Sequence, residues 1–224
     1  MPRIRVHNIA VSLDGYAAGP DQSLDNPLGV GGRRLHEWTF ATRSWRAMHG
    51  LEGGDGGIDD DAIREGDVGV GASIMGRNMF GPVRGPWGAE DWRGWWGDNP
   101  PYHHPVFVLT HHPREPIEMA GGTTFHFVHQ GIEAALERAV EAAAGADVRV
   151  TGGPGTIRQY LRSGLVDSLG FAVVPVVLGS GERLLGDLTG YECVEHRSSP
   201  AVMHVRLARA GSAADDGSQA QETR

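Results

Sequence analysis

Between Val148 and Leu169 the sequence reads VRVTGGPGTIRQYLRSGLVDSL: an apolar run, two adjacent glycines, then a helix-like segment. The chemistry this pattern suits is phosphate binding. A helix start presents N–H groups without intrahelical partners and a partial positive charge, both favourable to an anion. Gly152 and Gly153 lack a Cβ, so a pyrophosphate could approach their backbone closely. Pro154 suits the first helical turn, where its missing N–H matters least, and Thr156 adds a hydroxyl. Read alone, the segment is also consistent with a tight strand-to-helix turn that binds nothing.

Two further segments bear on the choice. SIMGRNMFG (Ser73 to Gly81) repeats the arrangement, with an apolar strand, a glycine and then Arg77 at the head of a helix. Two such turns in one sheet would hold one dinucleotide from both sides. VFVLTHHPRE (Val106 to Glu115) follows a buried strand with Thr110, His111, His112 and Arg114, donors suited to a phosphate monoester; plain loop histidines are the alternative. GVGAS and GGPG match the Rossmann fingerprint poorly, lacking its third glycine and its acidic residue.

Composition excludes several other chemistries. All 20 basic residues are arginine, which removes a Schiff-base lysine, a lysine base and the P-loop. Cys193 is the one cysteine, so no intramolecular disulfide or thiolate zinc cluster forms, and the strand-like GYECVEHR around it predicts a small buried hydrophobe. His103, His104, His111 and His112 lack helical i,i+4 spacing and a nearby cysteine, so no metal site is expected. The net charge of −8 opposes non-specific nucleic-acid binding. No apolar run reaches the ~20 residues of a membrane helix. Met1-Pro2-Arg3-Ile4-Arg5 enters a strand pattern without a signal peptide, and the expectation is a soluble cytoplasmic protein.

The elements that must position these turns follow from periodicity. Strands are predicted over Arg3–Ser12, Val68–Met75, Val106–Thr110, Thr123–Val128 and Val148–Thr151. Helices are predicted over Arg33–Met48, Asp60–Glu65, a short one opening at GRNMF, Gly131–Ala144 and Pro154–Ser163. This alternation builds a parallel sheet covered on both sides. Strands at Ser168–Leu178, Gly190–Arg197 and Ala201–Leu207, without long helices between them, give an antiparallel end. Gly81–Pro105 is a long excursion bearing Trp87, Trp92, Trp95 and Trp96. Residues 210–224 lack apolar surface and read as a disordered tail, leaving one domain over 1–209.

Taken in order, AVSLDGYAAG, IMGRNMFGP, VFVLTHHPR, VTGGPGTIRQYL and GLVDSLGFAVVPVVLGSGERLL resemble the motifs of the dihydrofolate reductase-like superfamily. The nearer resemblance is to the reductase domain of the bifunctional riboflavin-biosynthesis deaminase-reductase, over roughly residues 3 to 209. It implies a single-domain, three-layer α/β fold with a mostly parallel sheet, a homodimer, and NADPH as cofactor. It places Gly76, Arg77 and Asn78 at the cofactor phosphates, and Gly152, Gly153, Pro154, Gly155, Thr156, Ile157 and Arg158 along the pyrophosphate. Thr110, His111 and Arg114 fall near the 2′-phosphate, and Ala10 with the SLDG turn borders the nicotinamide.

The implied activity is hydride transfer from NADPH to a C=N or C=O group of a small pterin- or pyrimidine-like heterocycle. Asp14 faces the substrate side as a proton donor or anchor, or else only stabilises its turn. Trp87, Trp95 and Trp96 form a substrate wall or lid, or else pack the loop or a dimer contact. No deaminase motif is present. Glu37 is the one acid on Arg33–Met48, and the basic contacts of a phosphoribosyl-substrate enzyme cannot be located. The competing reading is a non-catalytic NADPH-binding module acting as a sensor or partner-regulated protein.

Overall fold

The computed structural model describes residues 2–81, 85–88, 92–186 and 188–211. In chain order its elements are β1 (Ile4–Ser12), β2 (Tyr16–Ala18), α1 (Arg43–Met48), α2 (Ile58–Asp67), β3 (Val70–Gly76), α3 (Arg77–Phe80), β4 (Pro105–Leu109) and β5 (Ile117–Glu118). They continue with β6 (Thr124–Val128), α4 (Ile132–Ala142), β7 (Asp147–Gly152), α5 (Pro154–Arg162), β8 (Ser168–Val174), β9 (Glu182–Arg183), β10 (Tyr191–Ser198) and β11 (Met203–Arg209).

Nine strands make one sheet in the order β10-β11-β8-β1-β7-β3-β4-β6-β5. The run from β8 through β6 is parallel. The C-terminal strands β10 and β11 join it antiparallel beyond β8, and β5 closes the other edge antiparallel to β6. This is the mixed α/β sheet that the strand–helix rhythm and its change after residue 168 predict.

Alternation along the strands explains why both faces are covered. Ile74, Phe107, Val150 and Phe171 face one core with Ala135 and Ala139 of α4 and Ile157, Tyr160 and Leu161 of α5. The neighbouring residues Met75, Val106 and Val108 face a second core with Phe80, Phe125 and Phe127, against which Trp87, Trp92 and Trp96 pack. Ala10 and Ala172, one step from Val11 and Phe171, join Leu35 and Val202 in a third. Tyr160 also donates from its hydroxyl to the Ile132 carbonyl at 2.8 Å, tying α5 to the start of α4.

Four sequence expectations change. The helix over Arg33–Met48 is two 3-10 turns, Gly32–Leu35 and Glu37–Ala41, followed by α1. The break falls at Thr42, whose backbone is extended and whose hydroxyl accepts from the Trp45 N–H, an N-cap that starts a new helix. The strand begun at Ser168 ends at Val174 rather than Leu178, because Pro175 offers no N–H to extend the ladder. Cys193 is exposed, not buried: β10 is an edge strand with little covering it. Three short strands, β2, β5 and β9, are too brief to show a period. Of the proposed tail, residues 212–224 lie outside the described residues.

The tryptophan excursion is held by Phe80, which is fully buried and meets Trp87, Phe125 and Phe127 edge-on at centroid distances of 5.9, 5.1 and 5.3 Å. Phe80→Ala is expected to cost about 3–5 kcal/mol and to red-shift tryptophan emission. Denaturant unfolding followed by fluorescence checks both.

Candidate functional site

Parallel strands bring their carboxyl ends to one edge of the sheet, where ligands of open α/β sheets bind. Here β7 and β3 are neighbours, with Met75 opposite Gly152, so the helix starts that follow them lie side by side. The contact between the two turns is close. A Cβ on Gly76 would stand 2.3 Å from Thr156 Oγ1 and 3.6 Å from the Gly153 nitrogen. The turns predicted separately at residues 76 and 153 therefore converge.

They open onto one groove made of two adjoining cavities, of 730 and 370 Å3. Both are lined by Gly76, Arg77, Asn78, His111, Thr156 and Gln159. The smaller continues over the end of β4, past Leu109, Thr110 and His112. The larger crosses β7 by Thr151 and the Gly152–Gly155 turn to β1 and β2, reaching Asn8, Ile9, Ala17 and Ala18. From β4 to β1 is three strand spacings, about 14 Å at about 4.8 Å each.

The glycines of the second turn differ in what they do. Gly152 has φ 142°, in the region that favours glycine, and its Cβ would meet Met79 Sδ at 3.0 Å; the Gly152–Gly153 peptide is cis. Gly153 has an ordinary extended conformation (φ −69°, ψ −178°), and apart from its chain neighbours no described atom stands within 4 Å of the position its Cβ would take. No contact beyond its chain neighbours and no positive φ requires glycine at 153. What it leaves is open space in the groove wall, beside the amides that begin α5.

Arg77 is the one arginine among the described residues that line this groove. Its guanidinium lies 3.2 Å over the Trp87 ring, and Nη1 makes long contacts to the Gly85 carbonyl and Thr110 Oγ1, at 3.3 and 3.4 Å. Nε and Nη2 are buried without a hydrogen-bond partner among the described residues. Burial first, and then the nearby Arg114, push its pKa down, which marks a charge short of compensation. Thr110 Oγ1 also accepts from the His112 N–H at 3.1 Å.

Several sequence candidates lie elsewhere. The Arg114 guanidinium sits 4.8 Å from the Trp87 centroid and donates to the Trp92 carbonyl at 2.7 Å, outside the groove lining. Trp87 is the platform under Arg77, its N–H donating to the His112 carbonyl at 2.9 Å, whereas Trp95 and Trp96 line the larger cavity. Ala10 and Ile157 are buried in the cores beneath, and Ile9 rather than Ala10 reaches the cavity. Asp14 accepts from the Leu178 and Gly179 N–H groups at 3.1 and 2.7 Å and is not in the lining. With Ser12 and these amides as donors, its pKa drops to about 2, so it is ionised at neutral pH and ties β1's end to the loop after β8.

His36 lines the larger cavity and was not singled out from the sequence. On an unbroken helix burying Leu35, Trp38, Thr39 and Thr42 it falls off the buried face. The 3-10 turns on either side of it bring it to the cavity. Burial pushes its pKa down, favouring the neutral ring.

The model of the RibD C-terminal domain matches residues 4–205. The chain belongs to this family. Membership in the RibD C-terminal family supports an oxidoreductase of the reductase type. Among solved structures, a Shewanella sp. PV-4 protein described as a riboflavin biosynthesis protein is 21% identical over 93% of this chain and 99% of its own, with a TM-score of 0.58. Dihydrofolate reductase of Enterococcus faecalis, complexed with NADP(H), is 12% identical over 92% of this chain and 96% of its own, with a TM-score of 0.53. The bifunctional deaminase–reductase of Thermotoga maritima is 14% identical, with a TM-score of 0.53; the match covers 93% of this chain and 57% of that one. At these identities the likeness concerns the fold, which is dihydrofolate reductase-like. No curated protein matches the chain.

The two turn glycines should respond oppositely to a methyl group. Gly76→Ala drives a Cβ into Thr156 and is expected to destabilise by about 1–3 kcal/mol, as overpacking does. Gly153→Ala meets nothing and should be neutral or stabilising by up to about 1 kcal/mol. Paired urea unfolding curves check the contrast.

Proposed function

We propose that the chain is an NADPH-dependent reductase that passes hydride to a C=N or C=O group of a small pterin- or pyrimidine-like heterocycle. The observation that carries this reading is Arg77: a half-buried cation, two of whose donor atoms are buried without a partner among the described residues, set where two glycine turns and a helix start face one groove. Buried donors of that kind are costly unless an acceptor completes them, and phosphate oxygens do so with charge as well as geometry.

The groove's run over β4, β3, β7 and β1 suits an extended dinucleotide. Thr110, His111 and His112 lie at its β4 end with Arg77, and in this reading they and Arg77 receive the adenosine-side phosphates. The Gly152–Gly155 turn and Thr156 receive the pyrophosphate, Gly153 by leaving room for it. The reduced nicotinamide, when bound, supplies hydride. The protein's part is to align it with an acceptor and keep water from the reacting atoms. The β1–β2 end does this with apolar walls, Ile9, Ala17, Ala18, Leu28, Trp95 and Trp96, interrupted by Asn8, Gln22 and His36. A planar ring system matches such walls through its faces and finds polar partners at its edge.

The test is cofactor binding followed by NADPH fluorescence, then NADPH oxidation with pteridines, uracil derivatives and quinones. Arg77→Ala removes charge-assisted bonds worth about 1.5–3 kcal/mol and should weaken NADPH about 10- to 100-fold. Gly153→Val should keep the wild-type melting temperature yet lose binding. Wild-type affinity in Gly153→Val would refute the pyrophosphate placement, and tight binding without oxidation of any acceptor would favour a cofactor-binding module.

A further inference from the structure

The acceptor end of the groove contains a single imidazole. His36 lies at the junction of two 3-10 turns and shares its cavity wall with Asn8, Ile9, Ala18, Gln22 and Leu28. Among the described residues, the other strongly ionisable side chains of that lining are Arg77, His111 and Glu182. Arg77 and His111 also line the smaller cavity over β4, away from the β1–β2 end. Glu182 is paired with Arg158 at 3.7 Å. Asp14 stands outside the lining, with both carboxylate oxygens taken by backbone amides.

We propose that His36 is the proton donor of the reduction, a catalytic group added to the reductase reading above, on which this inference rests. The acceptor carbon takes hydride from the reduced nicotinamide, and the electron pair of its C=N or C=O double bond moves to the nitrogen or oxygen. That atom forms its new bond to the proton of the His36 imidazolium, whose N–H bond breaks to leave neutral imidazole. Water reprotonates the ring before the next turnover.

The electrostatic setting agrees. Burial is the one resolved cause of the lowered His36 pKa. An imidazolium there is a stronger acid than a solvated one, and its population grows as pH falls. The rate should therefore rise on acidification and level off below the His36 midpoint.

The experiment is NMR titration of the histidine rings in the full chain, with His36 assigned by comparison with His36→Gln. It is run free and saturated with NADPH, NADP+ or 2′,5′-ADP, which lacks the nicotinamide. The free midpoint should lie below 6.5. The cationic ring of NADP+ should lower it by about one pH unit relative to NADPH, and 2′,5′-ADP should leave it unmoved. On an acceptor that the wild type reduces, His36→Gln should lower turnover by about a hundredfold and flatten its pH dependence, with NADPH affinity unchanged. Identical midpoints with NADP+ and NADPH, or a wild-type pH profile in His36→Gln, overturn the proposal while the cofactor reading stands. No response of the Gly152, Gly153 and Gly155 amides to any nucleotide overturns both.

Discussion

The site depends on one close approach: the backbone at Gly76 runs against Thr156, where even a methyl group would not fit. Parallel pairing of β3 with β7 sets the two strand ends level, and the missing side chain lets the segments that follow come together. Without that approach there would be two isolated helix starts, each a weak attractor for anions. With it, a chain reversal, a buried guanidinium and a helix start act on one volume. The sheet order serves the same end, since β7 is inserted between β1 and β3 and carries its glycine turn to the middle of the groove.

The packing beneath is divided accordingly. The helical face, with α4 and α5, fixes the height of the Gly152–Gly155 turn through Ile157, Tyr160 and Leu161. The aromatic face fixes Arg77 through Trp87, Phe80 and Phe127. The pairing of β3 with β7, and the contacts of Gly76 with Thr156 and of Gly152 with Met79, set the spacing between the Gly152–Gly155 turn and Arg77. The tryptophans of the excursion are thus shared between tasks: Trp87 supports the Arg77 guanidinium, Trp92 closes over α3 by donating to the Phe80 carbonyl at 2.9 Å, and Trp95 and Trp96 line the larger cavity.

Much of this was legible in the chain. Short continuous apolar runs mark β3, β4 and β7 in the sequence because those strands are covered on both faces, and glycine at a strand-to-helix junction is a local signal that survives in any context. What could not be read was set by distance in sequence. Asp14 looked available because its partners, Leu178 and Gly179, lie more than 160 residues away. Arg114 looked like a phosphate ligand because nothing local shows Trp87 and Phe127 beneath it. His36 was hidden by a helical period that Thr42 breaks by capping a new turn. Cys193 sits in an alternating strand, but alternation does not reveal that the strand is an edge.

The stacking of Arg77 on Trp87 has a thermodynamic consequence. An arginine on an open surface samples many rotamers, and an anion that captures it must freeze them. Here the plane of the guanidinium is already fixed by an indole that is itself anchored through its N–H. The ordering entropy is lost during folding, so an anion bound there would meet a guanidinium already oriented and would retain more of the enthalpy of contact as affinity.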